Sequence, residues 1–287
     1  MEIIKEDIQL TDWETSLDEL VSLLPRTKYP YINIDMYAAI TKDFSLFAAA
    51  KLWDSYNEIM TTARYCLRRG SYFNHKVYNE EHKTGICRYD KQAQYVMNLH
   101  ELKSAIVWYN SAMDYLLQII YFGFGFHGQV QCVDDFYREL KSVRWIGGDF
   151  SNNFREFSDI NKTAKDLYDA YKNAFTNSDV VAIRGLANNM KHHGGFDLEE
   201  YPKDSHHNIG CTDKYGNMVC YNEITQRPRV SYQKIVEHLI GAHKAIIELG
   251  DYIVEQLGLS EIEKPGYVLN MDNPQRLQKF IYKKDDV

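Results

Sequence analysis

Lys91–Phe124 carries the sequence pattern that most constrains the fold of this chain. Large apolar residues recur there at alternating steps of three and four: Leu99, Leu102, Ile106, Tyr109, Met113, Leu116 and Ile120. Such steps return to the same side of an α-helix, and this spacing is typical of a helix in a bundle. The pattern therefore predicts one long helix that buries a stripe of side chains against other helices.

Similar spacing predicts helices elsewhere in the chain, over 35–69, 134–143, 161–175 and 231–257. Only 6 prolines occur in 287 residues, which favours long helices. The adjacent Gly147 and Gly148 instead predict a turn over 145–153.

A second departure from helix is a small hairpin-like insertion near 207–224, where Tyr-Gly-Asn separates two β-prone runs. We therefore expect an all-α helical bundle with three parts: an N-terminal helical region at 1–90, the main bundle at 91–258, and a tail with a short helix at 259–287. The chain has 5 cysteines, an odd number without a regular framework, and we expect Cys211 and Cys220 to be free thiols.

Composition excludes several classes of function. The formal net charge is −7, which argues against binding nucleic acid or a membrane by bulk charge. The acidic N-terminus lacks the apolar core of a signal peptide, and no run of about 18 uncharged apolar residues is present. We expect a cytoplasmic protein that does not contact membranes.

The segment Asp179–Gly195 contains the side chains that are best suited to binding or catalysis. It predicts a helix that ends at two glycines, with Arg184, Asn188 and His192 spaced by one turn along one side. Lys191 and His193 add polar groups near the same end. Histidine can move protons near neutral pH, and arginine holds a phosphate with two hydrogen bonds.

The order Arg, Asn, Lys-His on a bundle helix resembles the HEPN superfamily, whose hallmark is an arginine, four to six residues, and a histidine. Seven residues separate Arg184 and His192 here. The segment Glu101–Phe124 is similar to the long first core helix of that superfamily. The resemblance covers 91–258 and implies a dimeric helical bundle that binds RNA or cleaves it without a metal ion, in a toxin–antitoxin or antiviral system.

The resemblance assigns roles to individual residues. Arg184 would clamp the phosphate and His192 would be the acid/base, and two copies paired through this helix would form one composite cleft. Asn188, Lys191 and His193 would contact the substrate. Asp114 is a further substrate-site candidate that follows from its own neighbours and not from the resemblance. It lies in the polar stripe Asn110–Asp114–Gln118 and is expected to be partly buried and to pack against Arg184, since a buried carboxylate needs a partner. It would fix the arginine or the histidine at the substrate, or else form a structural ion pair or lie on a solvated face.

Two alternatives stay open. The Arg/Asn/His side is equally typical of a polar helix end in a non-catalytic, dimerising interaction module that binds another protein, so the sequence leaves enzymatic activity undecided. A metal site is the other alternative, since His192, His193, His206, His207, Asp197 and Cys211 are close in sequence. No HExxH or CxxC pattern is present, and we expect neither metal nor cofactor.

Overall fold

The computed structural model is mostly helical in the part of the chain that it describes, as the sequence predicts. The described residues are 21, 23–30, 32, 44–71, 90–192, 194–199, 210–212, 215, 218–220 and 227–259. The helices are α1 (Phe44–Ser71), α2 (Asp90–Gly123), α3 (Val133–Ser142), α4 (Asp149–Ser158), α5 (Lys162–Thr176), α6 (Ser178–His192) and α7 (Tyr232–Gln256). The predicted tail helix in 259–287 lies outside the described residues, apart from Leu259.

Four short strands accompany the helices: β1 (Asp197–Leu198), β2 (Gly210–Thr212), β3 (Met218–Cys220) and β4 (Arg229–Val230). Strands β2 and β3 pair in antiparallel fashion, which confirms the predicted hairpin. Their register places Cys211 opposite Val219 and Cys220 opposite Gly210, so the two cysteines are not direct partners. Strands β1 and β4 pair in parallel. This second pairing is not predicted, because two-residue strands are too short to show a periodic pattern.

Helix α2 buries the stripe that its spacing predicts. Every member of the stripe from Leu99 to Ile120 is at most 9% exposed. Toward the C-terminus burial extends around the helix and takes in Leu117, Ile119 and Phe122. A helix that is apolar on most of its circumference packs against neighbours on several sides.

The chain divides into two compact units. The first contains Met1–Leu24, Ala63–Val107 and Ser178–Ala242, and the second contains Pro25–Thr62, Trp108–Asn177 and His243–Val287. Helices α1, α2 and α7 therefore contribute residues to both units.

In the first unit, α6 packs its apolar side inward and is fixed at its N-terminal turn. Val180, Ile183, Leu186 and Ala187 are buried. At the helix start the Asp179 carboxylate accepts a hydrogen bond of 2.8 Å from His238 Nδ1 on α7. Gly241, one turn later on α7, has no side chain, and this leaves room for the carboxylate. These contacts set the position of α6 within the unit.

In the second unit, aromatic side chains form much of the core. Phe150 and Phe154 stack with their ring centroids 5.5 Å apart, and Phe126 meets both rings edge-on. Phe150 and Phe154 are four residues apart on α4, so one side of this helix faces the core. The predicted turn over 145–153 is therefore wrong for 149–153, which form the first half of α4.

Buried polar groups in the second unit have partners. His243 is 1% exposed, and its Nε2 donates a hydrogen bond of 2.7 Å to the carbonyl of Pro25. Its Nδ1 lies 2.8 Å from the Tyr109 hydroxyl. Asp251 accepts hydrogen bonds from the Thr27 hydroxyl and the Lys28 backbone N–H. These bonds offset the cost of burying an imidazole and a carboxylate.

No helix among the described residues combines the length and the apolar character that crossing a membrane requires.

Candidate functional site

Helix α6 carries three of the predicted site residues along one side. Arg184 is half-buried, whereas Asn188 and His192 are exposed. Each is one turn from the next, so neighbouring Cβ atoms are about 6 Å apart and the whole row rises about 12 Å along the helix. The three residues form a row and do not meet at a single point.

The remaining predicted site residues have different outcomes. Lys191 is exposed in the last turn of α6, next to His192. His193 lies outside the described residues. Asp114 is on α2 in the second unit and is exposed, so the expectation of partial burial is wrong. Consecutive residues of a helix point about 100° apart. Because Met113 points into the core, the next residue, Asp114, points toward solvent.

A cationic pair that the sequence did not predict lies just after α6. Lys103 Nζ is 3.5 Å from the point where a Cβ on Gly195 would lie, and Arg227 Nε is 3.9 Å from the corresponding point on Gly194. Both glycines have positive φ angles, 78° at Gly194 and 95° at Gly195. Only glycine adopts this conformation at little cost, and without side chains there the two cations lie against the backbone of the turn.

The aromatic ring of Phe196 supports Lys103. The Lys103 ammonium lies 5.2 Å from the centroid of this fully buried ring. Burial lowers the pKa of Lys103, the nearby Arg227 guanidinium lowers this pKa further, and Asp197 raises it. The position of the lysine is thus fixed by packing, although a like charge lies close to it.

Asp197 is the counter-charge in this cluster. Its Oδ1 is 3.8 Å from Arg227 Nη1, a long ion pair whose side chains are 43% and 50% exposed. Arg229, two residues after Arg227, has a different role, since its Nη2 donates hydrogen bonds to the backbone carbonyls of Leu198 and Glu199. The sequence could not reveal the pair, because Lys103 and Arg227 are far apart along the chain and share no local pattern.

The turn at Gly194 and Gly195 joins this cluster to the row on α6. The Gly195 N–H donates a hydrogen bond of 3.2 Å to the carbonyl of Asn189, in the last turns of the helix. The cationic pair is therefore held against the C-terminal end of α6, where Lys191 and His192 are also found.

A groove of about 610 Å³ in the second unit has the opposite charge. It lies between α5 and α7 and is lined by Asp166, Asp169 and Glu248, together with alanines and Tyr252. Carboxylates repel a phosphate backbone. Between the two features, the end of α6 is the better match to an anionic ligand.

Within the described part of the chain, no group of three or more histidine, cysteine, aspartate or glutamate side chains is arranged to hold a metal ion. The candidate ligands His193, His206 and His207 fall outside that part, and the side chain of Cys211 is not described.

Comparison with protein-family models, with curated proteins and with solved structures finds no match to this chain.

Proposed function

We propose that the protein is a HEPN-like ribonuclease that binds RNA along the exposed side of α6 and cleaves it without a metal ion. The observation that supports this most is the row of Arg184, Asn188 and His192 at steps of one helical turn. A row of about 12 Å suits an extended phosphodiester chain better than a single small anion. The protein would act in the cytoplasm, in a toxin–antitoxin or antiviral system.

The row contains the groups that metal-independent cleavage needs. His192 would take the proton of the RNA 2′-hydroxyl, whose oxygen then forms a bond to phosphorus. The bond from phosphorus to the 5′-oxygen breaks, and the protonated imidazole of His192 gives its proton to that oxygen. The products are a 2′,3′-cyclic phosphate and a 5′-hydroxyl. Arg184 would stabilise the charge that develops on the phosphoryl oxygens, and Asn188 would orient the phosphate.

The spacing of the row favours a homodimer as the active form. Arg184 and His192 of one chain are two helical turns apart, which is far for one phosphate. Asn188 is midway between them, so two antiparallel α6 helices that face each other across a cleft, with a twofold axis at the level of Asn188, bring Arg184 opposite His192 of the partner subunit. Two equivalent Arg/His sets would then share one cleft.

Gly185 supports a close approach to this side of α6. It is exposed, and a Cβ placed there would have no atom within 4 Å. A glycine on an exposed helical surface costs about 1 kcal/mol of helix stability relative to alanine. Its presence is consistent with another backbone, from RNA or from a second copy, lying against the helix.

The test is cleavage of RNA in the presence of EDTA by the wild-type chain, His192→Ala and Arg184→Ala. We expect each substitution to lower the cleavage rate by about 100-fold or more, since a general acid–base group and a donor that stabilises developing charge each contribute about that much. Thermal unfolding of His192→Ala should be unchanged, because His192 is exposed in the last turn of α6. Arg184 is half-buried, so cleavage by Arg184→Ala is measured at a temperature well below the unfolding midpoint of that variant. Lys234→Ala, at an exposed lysine of α7, and Arg68→Ala, at an exposed arginine of α1, are the matched controls.

Equal cleavage by the variants and the wild-type chain would refute these roles. Absence of cleavage by the wild-type chain, combined with dimers in sedimentation, would instead support the non-catalytic interaction module. In that case Arg184 and His192 would be part of a surface that binds protein.

A further inference from the structure

We propose that Lys103 and Arg227 form a second phosphate-binding subsite, which holds the RNA strand beyond the C-terminal end of α6. The inference rests on the proposed RNA function and adds two residues from other parts of the chain to it. The ligand is the phosphodiester backbone of a single strand, recognised by charge and not by base.

The geometry of the Gly194–Gly195 turn provides the first argument. Lys103 Nζ and Arg227 Nε lie 3.5 and 3.9 Å from where the two missing Cβ atoms would be. Both glycines have left-handed φ angles, which only glycine adopts at little cost, so the two cations lie against the backbone of the turn. Gly195 is buried and Lys103 is half-buried, whereas Gly194 and Arg227 are exposed, so the cluster reaches solvent at the Gly194 end of the turn.

The charge balance of the cluster is the second argument. Two cations face one carboxylate, Asp197, whose contact with Arg227 is long at 3.8 Å. Close like charges destabilise each other, and a bound phosphate would relieve that repulsion. Phosphate is also the anion that arginine and lysine bind together in proteins, arginine through its planar fork and lysine as a point charge.

The position of the cluster makes side-chain cations necessary. The C-terminus of a helix has a partial negative charge, which disfavours an anion near it. A strand that follows the α6 row toward His192 reaches that end of the helix. Lys191, Lys103 and Arg227 supply the positive charge that would allow the next phosphate to remain bound there.

Lys103 is positioned in advance for this role. Its ammonium lies 5.2 Å from the ring centroid of the buried Phe196, so the side chain is held before any ligand arrives. A side chain already in place loses less conformational entropy when it binds.

The experiment measures the affinity of the full chain for a 2′-O-methylated single-stranded RNA, which binds but lacks the hydroxyl required for cleavage. Fluorescence anisotropy at several salt concentrations gives the slope of log Kd against log salt. We expect Lys103→Met and Arg227→Gln each to weaken binding and to reduce this slope by about 0.7, the value for one phosphate contact on a single strand. Lys103→Met preserves the contact with Phe196, and Lys103→Arg should restore both affinity and slope.

Lys234→Ala and Arg68→Ala are again the controls, and both should bind as the wild-type chain does. Unchanged affinity and slope in Lys103→Met and Arg227→Gln would overturn the subsite.

The two proposals fail in different ways. A wild-type chain that cleaves RNA, together with Lys103→Met and Arg227→Gln variants of unaltered affinity, refutes the subsite alone. A wild-type chain that binds the methylated RNA through these residues but does not cleave ordinary RNA supports the subsite and refutes catalysis. A wild-type chain that does not bind RNA at all refutes both.

Discussion

Gly241 in α7 should be intolerant of alanine, because the Asp179 carboxylate occupies the space that a Cβ would need. The Asp179 carboxylate cannot move away freely, since its Oδ1 accepts a hydrogen bond of 2.8 Å from His238 Nδ1. We therefore predict that Gly241→Ala displaces Asp179 and weakens its contact with His238, which joins α6 to α7.

The size of the effect follows from three contributions. Alanine is favoured over glycine in a helix by about 1 kcal/mol, which opposes the damage. Relief of the overlap by shifting packed groups costs about 1–3 kcal/mol. Loss of the hydrogen bond from His238 costs about a further 1 kcal/mol. The net change in the free energy of unfolding is a loss of about 1–3 kcal/mol.

Urea unfolding followed by circular dichroism measures this change, and Gly185→Ala is the matched control. Gly185 is helical and exposed, and a Cβ there would meet nothing within 4 Å. Alanine at this position should therefore raise the free energy of unfolding by about 0.5–1 kcal/mol. Glycine-to-alanine substitution is therefore expected to lower the free energy of unfolding at position 241 and to raise it at position 185.

A double-mutant cycle identifies the cause. In an Asp179→Ala background only the Cβ of residue 179, at 3.0 Å, still lies close to the added methyl group, so Gly241→Ala should destabilise the chain much less, and the two substitutions should be strongly non-additive. The reasoning would be refuted if Gly241→Ala were as stabilising as Gly185→Ala, or if its cost persisted without the Asp179 carboxylate.

Three further predictions concern single sites. Burial and a neighbouring glutamate raise the pKa of Cys66 to about 11. Only about 0.1% of this thiol is therefore ionised at pH 8, so its alkylation, followed by mass spectrometry, should be slow. The alkylation rate should rise roughly tenfold for each pH unit. Gly250→Ala should lower the urea midpoint, because a Cβ there would lie 2.6 Å from the Tyr56 hydroxyl; the loss should shrink in a Tyr56→Phe background. Arg227→Ala should raise the pKa of Lys103, measured by NMR at its side chain, because it removes a nearby positive charge; a pKa that does not move would contradict the cluster.

The long helices could be predicted because their signal is local. The stripe on α2 repeats over many turns, and burial of all its members confirms the pattern. The sequence does not predict the first half of helix α4, because DFSNNFREFS is rich in residues that favour turns and follows two glycines. Its stability comes from rings such as Phe126, which contacts Phe150 and Phe154 from outside the helix.

Only part of the candidate site could be predicted from the sequence, because only the residues on α6 are related by a local pattern. Helical spacing places Arg184, Asn188 and His192 on one side of α6 without knowledge of any other element. Lys103 and Arg227 meet at the Gly194–Gly195 turn only after α2 and the segment before β4 pack in the same unit. No local pattern records such a meeting, and charge alone does not single out these two cations.

The chemical nature of the fragment ends, after RNA is incubated with the wild-type chain in EDTA, tests the ribonuclease assignment most directly. We predict fragments with 2′,3′-cyclic phosphate ends and no cleavage at positions that carry a 2′-O-methyl group. His192→Ala should lose this activity with unchanged thermal unfolding. Intact RNA after incubation with the wild-type chain, or equal cleavage by His192→Ala, would contradict the assignment of α6 as a ribonuclease site.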